Sequence, residues 1–382
     1  MDIIISHKSA LEYWREYRRL RGRSSGREKK TIAVAKVRRT SPPAILPSIN
    51  EIRDRVPSEL SYPINLLVGN KNTGGKSAFF QPRVYSGKTS DGCFAGIGDG
   101  LAVSAPPFCF FQMAGELPLV KLIELGFELC GTYSLLGTCG QDDKHSSGQD
   151  DKHLPNNWEE LDDRILHGDR ELVIDRRLYN DLEETAGKTL YANKEGIADN
   201  TSYGLPQLTN TKALKAFTAR MEGVSGRKMA SRALRYIADG SASPMETILF
   251  MLLTLPNKLG GYGLPAPVLN KRINTGNAAK GRPGSGNAYY VCDLFWPEAR
   301  IAVEYDSYLH HTGADRIASD AKKRLDYKAL GITPFTVTIG QVRDEIEFEG
   351  FAKLIARELH KQLRCKDPQF LKAKNELRRL LL

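Results

Sequence analysis

The chain has no long apolar run. Nothing in it approaches the ~20 residues that a membrane-spanning helix needs, and Ile3-Ile4-Ile5 is too short for the core of a signal peptide. Cysteine is scarce: six are scattered over 382 residues. They show no framework spacing, which excludes a disulfide-built fold and fits a reducing compartment. Acid is in deficit, with 45 Asp and Glu against 55 Lys and Arg and a formal charge of +10. Such a balance favours an anionic partner, nucleic acid ahead of a membrane surface. The expectation is a cytoplasmic protein of two or three domains, long enough for a true core.

Two motifs are absent despite local likenesses. Leu66 to Ser77 looks like a strand entering a phosphate-binding loop, but Gly69 lies five residues, not four, ahead of Gly75-Lys76-Ser77. The stretch Ala78–Tyr85 is aromatic and broken by Pro82 where a helix should start, so a hairpin loop is the better reading and no nucleotide cofactor is expected. Cys130, Cys139, His145 and His153 match no tight zinc spacing. The hexapeptide Gly140–His145 recurs as Gly148–His153; two short copies read as a polar surface loop.

What is present is concentrated in Tyr289 to His311. Tyr289–Trp296 is aromatic and β-favouring, Ile301–Asp306 alternates apolar with acidic, and Pro297-Glu298-Ala299-Arg300 is a four-residue hairpin loop. Pairing Trp296 with Ile301 puts Asp293 opposite Glu304. Asp306, two residues on, projects from the same face, while Ile301, Val303 and Tyr305 face a core. Three carboxylates on one face need a cation or a shared proton. Oxygen ligands alone suit Mg²⁺ or Mn²⁺. The competing reading is a solvated acidic face that binds nothing.

These residues resemble the restriction-endonuclease-like superfamily with its PD-(D/E)xK motif, in the branch related to very-short-patch repair endonucleases. The matching pieces are Asp293-Leu294-Phe295-Trp296-Pro297, Val303-Glu304-Tyr305-Asp306 and His310-His311, then Asp320, Arg324 and Leu330-Gly331-Ile332. The resemblance covers residues 240 onward and implies a mixed sheet flanked by helices. It further implies that Asp293 and Glu304 hold a catalytic metal, with Asp306 assisting. The motif's lysine position carries Asp306, so His310, His311, or a helix residue such as Lys322 or Arg324, would take over water activation or leaving-group protonation. Ser243-Pro244-Met245-Glu246 reads as a capping box opening a helix; the resemblance offers Glu246 a place at the metal.

The remaining chain is read as three regions ahead of this one. Residues 1–60 hold 14 Lys and Arg against seven acids and form a basic helical segment whose Arg15, Arg18 and Arg19 contact DNA phosphates. Residues 61–155 are an α/β middle domain, 156–240 a helical connector, and 241–382 the nuclease domain. In the connector, Arg220, Arg227, Lys228, Arg232 and Arg235 either track a phosphate backbone or form a solvated face. Within 241–382, Lys271, Arg272, Lys280 and Arg282 lie in a glycine-rich basic arm, and Arg324 is a further phosphate contact. The opening Ile5–Leu11 resembles AbiEi-like proteins of phage-defence and toxin–antitoxin loci, which implies a partner protein from the same locus. The function expected is a Mg²⁺-dependent DNA endonuclease. The alternative is a non-catalytic DNA-binding regulator, antitoxin or repressor-like, with a degenerate nuclease domain.

Overall fold

A computed structural model describes residues 3–22, 41–70, 77–87, 89, 91–135, 201–275, 289–306 and 314–382, without the side chains of 21, 22 and 314–320. The chain is a multidomain α/β protein with two compact units. One gathers residues 1–113, 134–205 and 220–224, the other 114–133, 206–219 and 225–382. Among the described residues no helix is long and apolar enough to cross a membrane.

The first unit is built on a five-stranded sheet of order β3-β2-β1-β5-β4. Its centre is β1 (Ile3–Ile5), three fully buried isoleucines. A strand covered on both faces needs such a continuous apolar run. β1 pairs antiparallel with β2 (Ile64–Val68) and parallel with β5 (Leu101–Ser104). The edges are β3 (Phe80–Val84) and β4 (Phe94–Gly98). Helix α1 (His7–Gly22) buries Ala10, Leu11, Trp14 and Tyr17, an i, i+3/i+4, i+7 stripe. The indole N–H of Trp14 donates to the Ser104 carbonyl at 2.8 Å. Helices α2 (Ile49–Arg55) and α3 (Pro106–Met113) and the paired short strands β6 (Tyr133–Leu135) and β7 (Thr201–Tyr203) complete the described part.

Two expectations change here. The boundary at residue 60 does not appear, because β1 is the central strand of the sheet that the middle domain also supplies. The link from β2 to β3 is a crossover, not a hairpin, since the two strands run parallel.

The second unit carries the four-stranded sheet β11-β10-β9-β8. Helix α4 (Leu119–Cys130), expected in the middle domain, belongs here, as does α5 (Arg227–Ala233). Helix α6 (Pro244–Thr254) starts at Ser243, whose side chain accepts from the Glu246 N–H, with Pro244 at its first turn. Residues 246–253 are buried on every side, as the run Ile248–Leu255 anticipates. Strands β8 (Val268–Asn274), β9 (Tyr289–Trp296) and β10 (Ile301–Asp306) form an antiparallel meander. Helix α7 (Ala314–Ala329) then crosses over to β11 (Thr333–Thr338), parallel to β10. It ends at Gly331, whose φ of +67° is the left-handed backbone glycine accepts without strain. Helices α8 (Ile339–Arg343), α9 (Glu345–Glu358) and α10 (Pro368–Leu381) finish the unit, the last opened by Asp367 and Pro368.

Strand β8 corrects the expected basic arm: Lys271 and Arg272 sit in an edge strand paired with Cys292 and Val291.

Candidate active site

The site forms where the regular pairing of the second sheet stops. Strand β10 follows the predicted register, Ile301 with Trp296, Ala302 with Phe295 and Val303 with Leu294. The next pair, Glu304 with Asp293, is not formed. Instead the Asp293 side chain turns across, and its Oδ2 accepts from the Tyr305 backbone N–H at 2.8 Å. On the other side, β8 pairs Leu269 with Leu294 and Lys271 with Cys292, leaving Asn270 beside Asp293 outside the ladder. Asn270 has φ +46°, a left-handed conformation that Asn tolerates better than most residues.

Asn270 ties this irregularity to α6. Its Nδ2 donates to the Gly240 carbonyl at 2.9 Å and to Glu246 Oε2. Glu246 Oε2 also accepts from the Ala242 N–H at 2.8 Å. Only half of the expected capping box is therefore present. The Ser243 hydroxyl caps the helix, but the glutamate reaches back to Ala242 and across to the sheet, and is only 6% exposed.

Glu304, the third acid, is gripped from α7. Its Oε1 accepts from the Tyr327 hydroxyl at 2.8 Å and pairs with Lys323 Nζ at 2.9 Å. Lys323 and Tyr327 are one helical turn apart, so one face of α7 delivers both. The Lys323 ammonium also lies 5.6 Å from the Tyr327 ring centroid and 5.9 Å from that of Tyr290. Tyr290 and Tyr327 belong to a packed cluster with Cys292, Phe295, Ala302 and Ile332, and the Tyr290 hydroxyl donates to buried Asp326 at 2.7 Å.

Three carboxylates and one ammonium make an unbalanced cluster. Burial, then the neighbouring charges of Glu246 and Glu304, push the Asp293 carboxyl up to about 8. Burial, with a smaller contribution from Glu304, also raises Glu246, against the hydrogen bonds from Ala242, Asn270 and Ser243. Burial and the adjoining Glu304 raise Tyr327 as well, so its hydroxyl stays protonated and keeps donating.

The acids that act on one another are thus Glu246, Asp293 and Glu304. The strongest charges on Asp293 are the two glutamates rather than Asp306, which lies at the end of β10 beside Thr338. His310 and His311 lie outside the described residues, as do Lys280 and Arg282. Arg324 is exposed, Lys322 half-buried, and Lys323 between them is the residue on the carboxylates. Arg272 stacks its guanidinium over the Tyr289 ring at 3.4 Å, and Lys271 is exposed. In the first unit, Arg18 is fully buried and cannot touch a phosphate; Arg19 is held by Glu16 at 2.6 Å and Arg15 is half-buried. The stripe that packs α1 includes Arg18, which its charge alone concealed.

Sequence reasoning missed Lys323, Tyr327 and Asn270. The phase of α7 was the usable signal: Tyr327 is its apolar anchor, and the lysine one turn earlier shares its face.

The donor chemistry suits a hard divalent cation, which takes one or two carboxylates plus waters. Among the described residues, no three His, Cys, Asp or Glu side chains converge on one point. Glu304 is turned onto Lys323 and Tyr327, and Glu246 onto Asn270. Asp293 and Glu304 are the two carboxylates of the cluster that could hold such an ion together with waters.

No family model matches the chain. No solved structure matches it either. It is similar to two uncharacterized proteins of Mycobacterium tuberculosis, from strains CDC 1551 / Oshkosh and H37Rv. Each is 30% identical over 118 residues, 31% of this chain. The match spans 38% of those relatives' length.

Proposed function

We propose that the second unit is a metal-dependent nuclease of the restriction-endonuclease-like class that hydrolyses phosphodiester bonds in DNA. One observation carries the reading: three carboxylates from α6, β9 and β10 act on one another where the sheet pairing is interrupted, with Lys323 set against them. Natural sheets avoid such crowding of like charges unless something positive compensates it. The mixed sheet flanked by helices is the arrangement that the resemblance implies.

Asp293 and Glu304 would hold Mg²⁺ or Mn²⁺, with Glu246 behind them. The chemistry that such an ion would supply, if held there, is polarisation of a phosphate and a lowered pKa for a water. The chain's own residues do the rest. The Tyr305 N–H fixes one Asp293 oxygen, and the Tyr327 hydroxyl fixes Glu304. Lys323 supplies, from a helix, the cation that the strand motif lacks at Asp306. Its ammonium orients the attacking water and offsets charge developing on the phosphate. Asn270 and the Ala242 N–H keep Glu246 turned toward the sheet.

The test is cleavage of supercoiled plasmid and mismatched duplex with Mg²⁺ or Mn²⁺ by the wild type, Asp293→Asn, Glu304→Ala and Lys323→Ala. The expected outcome is cutting that chelator abolishes and that each variant loses by about a hundredfold or more. No cutting by the wild type, with equal salt-sensitive DNA binding by all four proteins, would replace the enzyme with a DNA-binding regulator.

A further inference from the structure

Helix α5 breaks several rules of helix design at once. Its N-cap is Gly226, with φ +89° and no side-chain cap. Its first turn holds no acid; Arg227 and Lys228 stand there instead, at the end where the helix dipole disfavours cations. Lys228 and Arg232 are like charges at i, i+4, a spacing at which they repel, and Arg235 adds a third cation in the turn just past the helix. The opposite face is conventional: Ala230, Ala233 and Leu234 are buried, and α5 packs on α4.

The outward face forms a surface depression of about 340 Å³ lined by Arg227, Lys228, Ser231, Arg232 and Arg235, with no acid among them. All but Arg227 are exposed, and Arg227 is steadied by its Nε donating to the Thr218 carbonyl. Lys228, Arg232 and Arg235 have no ion-pair partner among the described residues. Several helical cations elsewhere in this unit are paired: Lys323 with Glu304, Lys353 with Glu349, Lys374 with Glu345 and Glu349, and Arg379 with Glu376. A helix that forgoes side-chain cap, favourable dipole charge and ion pairing together, and lines a depression with no acid, marks a place where function outweighed stability.

We propose that this face of α5 is a binding site for the phosphate backbone of double-stranded DNA. Lys228, Arg232 and Arg235 would each neutralise a phosphate, and the Ser231 hydroxyl would donate to a phosphate oxygen. Contacts of this kind fix the position of a duplex and carry no sequence information. The inference rests on the nuclease reading only for the choice of DNA as the polyanion; the cationic face stands without it.

The test uses the full chain in chelator and a labelled duplex of random sequence, with binding followed by anisotropy over a range of salt. The triple variant Lys228→Gln/Arg232→Gln/Arg235→Gln is compared with Lys258→Gln/Lys361→Gln/Lys366→Gln, which removes equal charge from other exposed positions. The expected result is a fall of roughly 3 in the salt slope for the first variant, about 0.9 per lost contact, and a loss of at least tenfold in affinity. The second variant should change both far less. Lys228→Arg/Arg232→Lys/Arg235→Lys should restore binding, which separates lost charge from lost folding. Equal losses in the two neutralised variants would overturn the proposal, because net charge alone would then explain binding. Equal loss of polyglutamate binding by the first variant would also overturn it, in favour of an acidic protein partner. Plasmid cleavage keeps the two readings apart. Cutting lost in Glu304→Ala, with α5 variants that bind normally, removes this site and spares the nuclease. A wild type that never cuts, with an α5 variant that loses its salt slope, does the reverse.

Discussion

The two units bury polar groups in opposite ways. At the end of β1 the first unit holds a mixed, hydrogen-bonded set in which, among the described residues, the Gln112 amide nitrogen is left without a partner. His7 Nδ1 lies 3.0 Å from the Ser6 hydroxyl, the His7 N–H donates to Gln112, Ser9 accepts from Asn65, and Arg83 Nε donates to Asn65 Oδ1 at 2.6 Å. Burial, then the Arg83 charge, holds the His7 imidazole down at about 4, so it stays neutral. Around Asp293, inside β9, the second unit gathers three groups of one sign, Glu246 buried and the other two half-buried, and burial, then this crowding, raises the Asp293 carboxyl to about 8. The first set mixes donors, acceptors and one cation; the second has three acids against one ammonium, the kind of imbalance that marks a candidate site.

The largest break in this comparison comes from the apolar support of the balanced side. Trp14→Ala should cost the first unit about 3–5 kcal/mol, through the lost ring and the stranded Ser104 carbonyl. Chemical denaturation with an α1 probe measures it, and a loss under about 1 kcal/mol would contradict the packing described.

Next come the pH slopes, which should have opposite signs. Asp293 keeps its proton in the folded, chelator-treated protein up to about 8, whereas the unfolded chain gives it up near the ordinary aspartate value. The unfolded state therefore binds fewer protons between these limits, and stability falls as pH rises through the window. Asp293→Asn should flatten that fall and be more stable than wild type by roughly 2–4 kcal/mol at about pH 8–9. Added Mg²⁺ should stabilise the wild type and not the variant. His7 acts in reverse. Its folded value is lowered, so the unfolded chain takes up the extra proton between the ordinary histidine value and about 4, and stability is lost as pH falls. His7→Gln should remove roughly 1–3 kcal/mol of that acid sensitivity. With Trp158 replaced by Phe, Trp14 and Trp296 report one unit each, so fluorescence follows the two melts separately.

The smallest effect sharpens the comparison within the site. Asn270→Ala loses two hydrogen bonds and leaves an alanine at positive φ, a cost of about 1–2 kcal/mol. It should also release Glu246, read as a weaker Mg²⁺ affinity by calorimetry. An unchanged affinity would make Asn270 a purely structural tie.

Much of this was legible from local pattern. The β9–β10 hairpin, its turn and its register follow from alternation, and the α6 start from Ser243-Pro244. The register fails at Asp293 because a side chain takes over a backbone hydrogen bond there, and no alternation pattern reports that. Strand β8 was hidden for the reason edge strands often are: Lys271 and Arg272 on an exposed rim look like loop, and the same charges discourage pairing with other chains. The role of Lys323 depends on which face α7 turns inward, a question of tertiary packing. β1 was overlooked because three isoleucines mean little without β2 and β5, which lie far along the sequence.

That last feature sets an order of events for folding. β1 and its parallel partner β5 are about a hundred residues apart, a costly loop to close and a slow kind of contact to make. During synthesis β1 emerges well before β5 and has to wait with one side of its ladder open. Whatever shields three adjacent isoleucines in that interval, α1 folding back over them or a chaperone, decides how much of the chain reaches the native state.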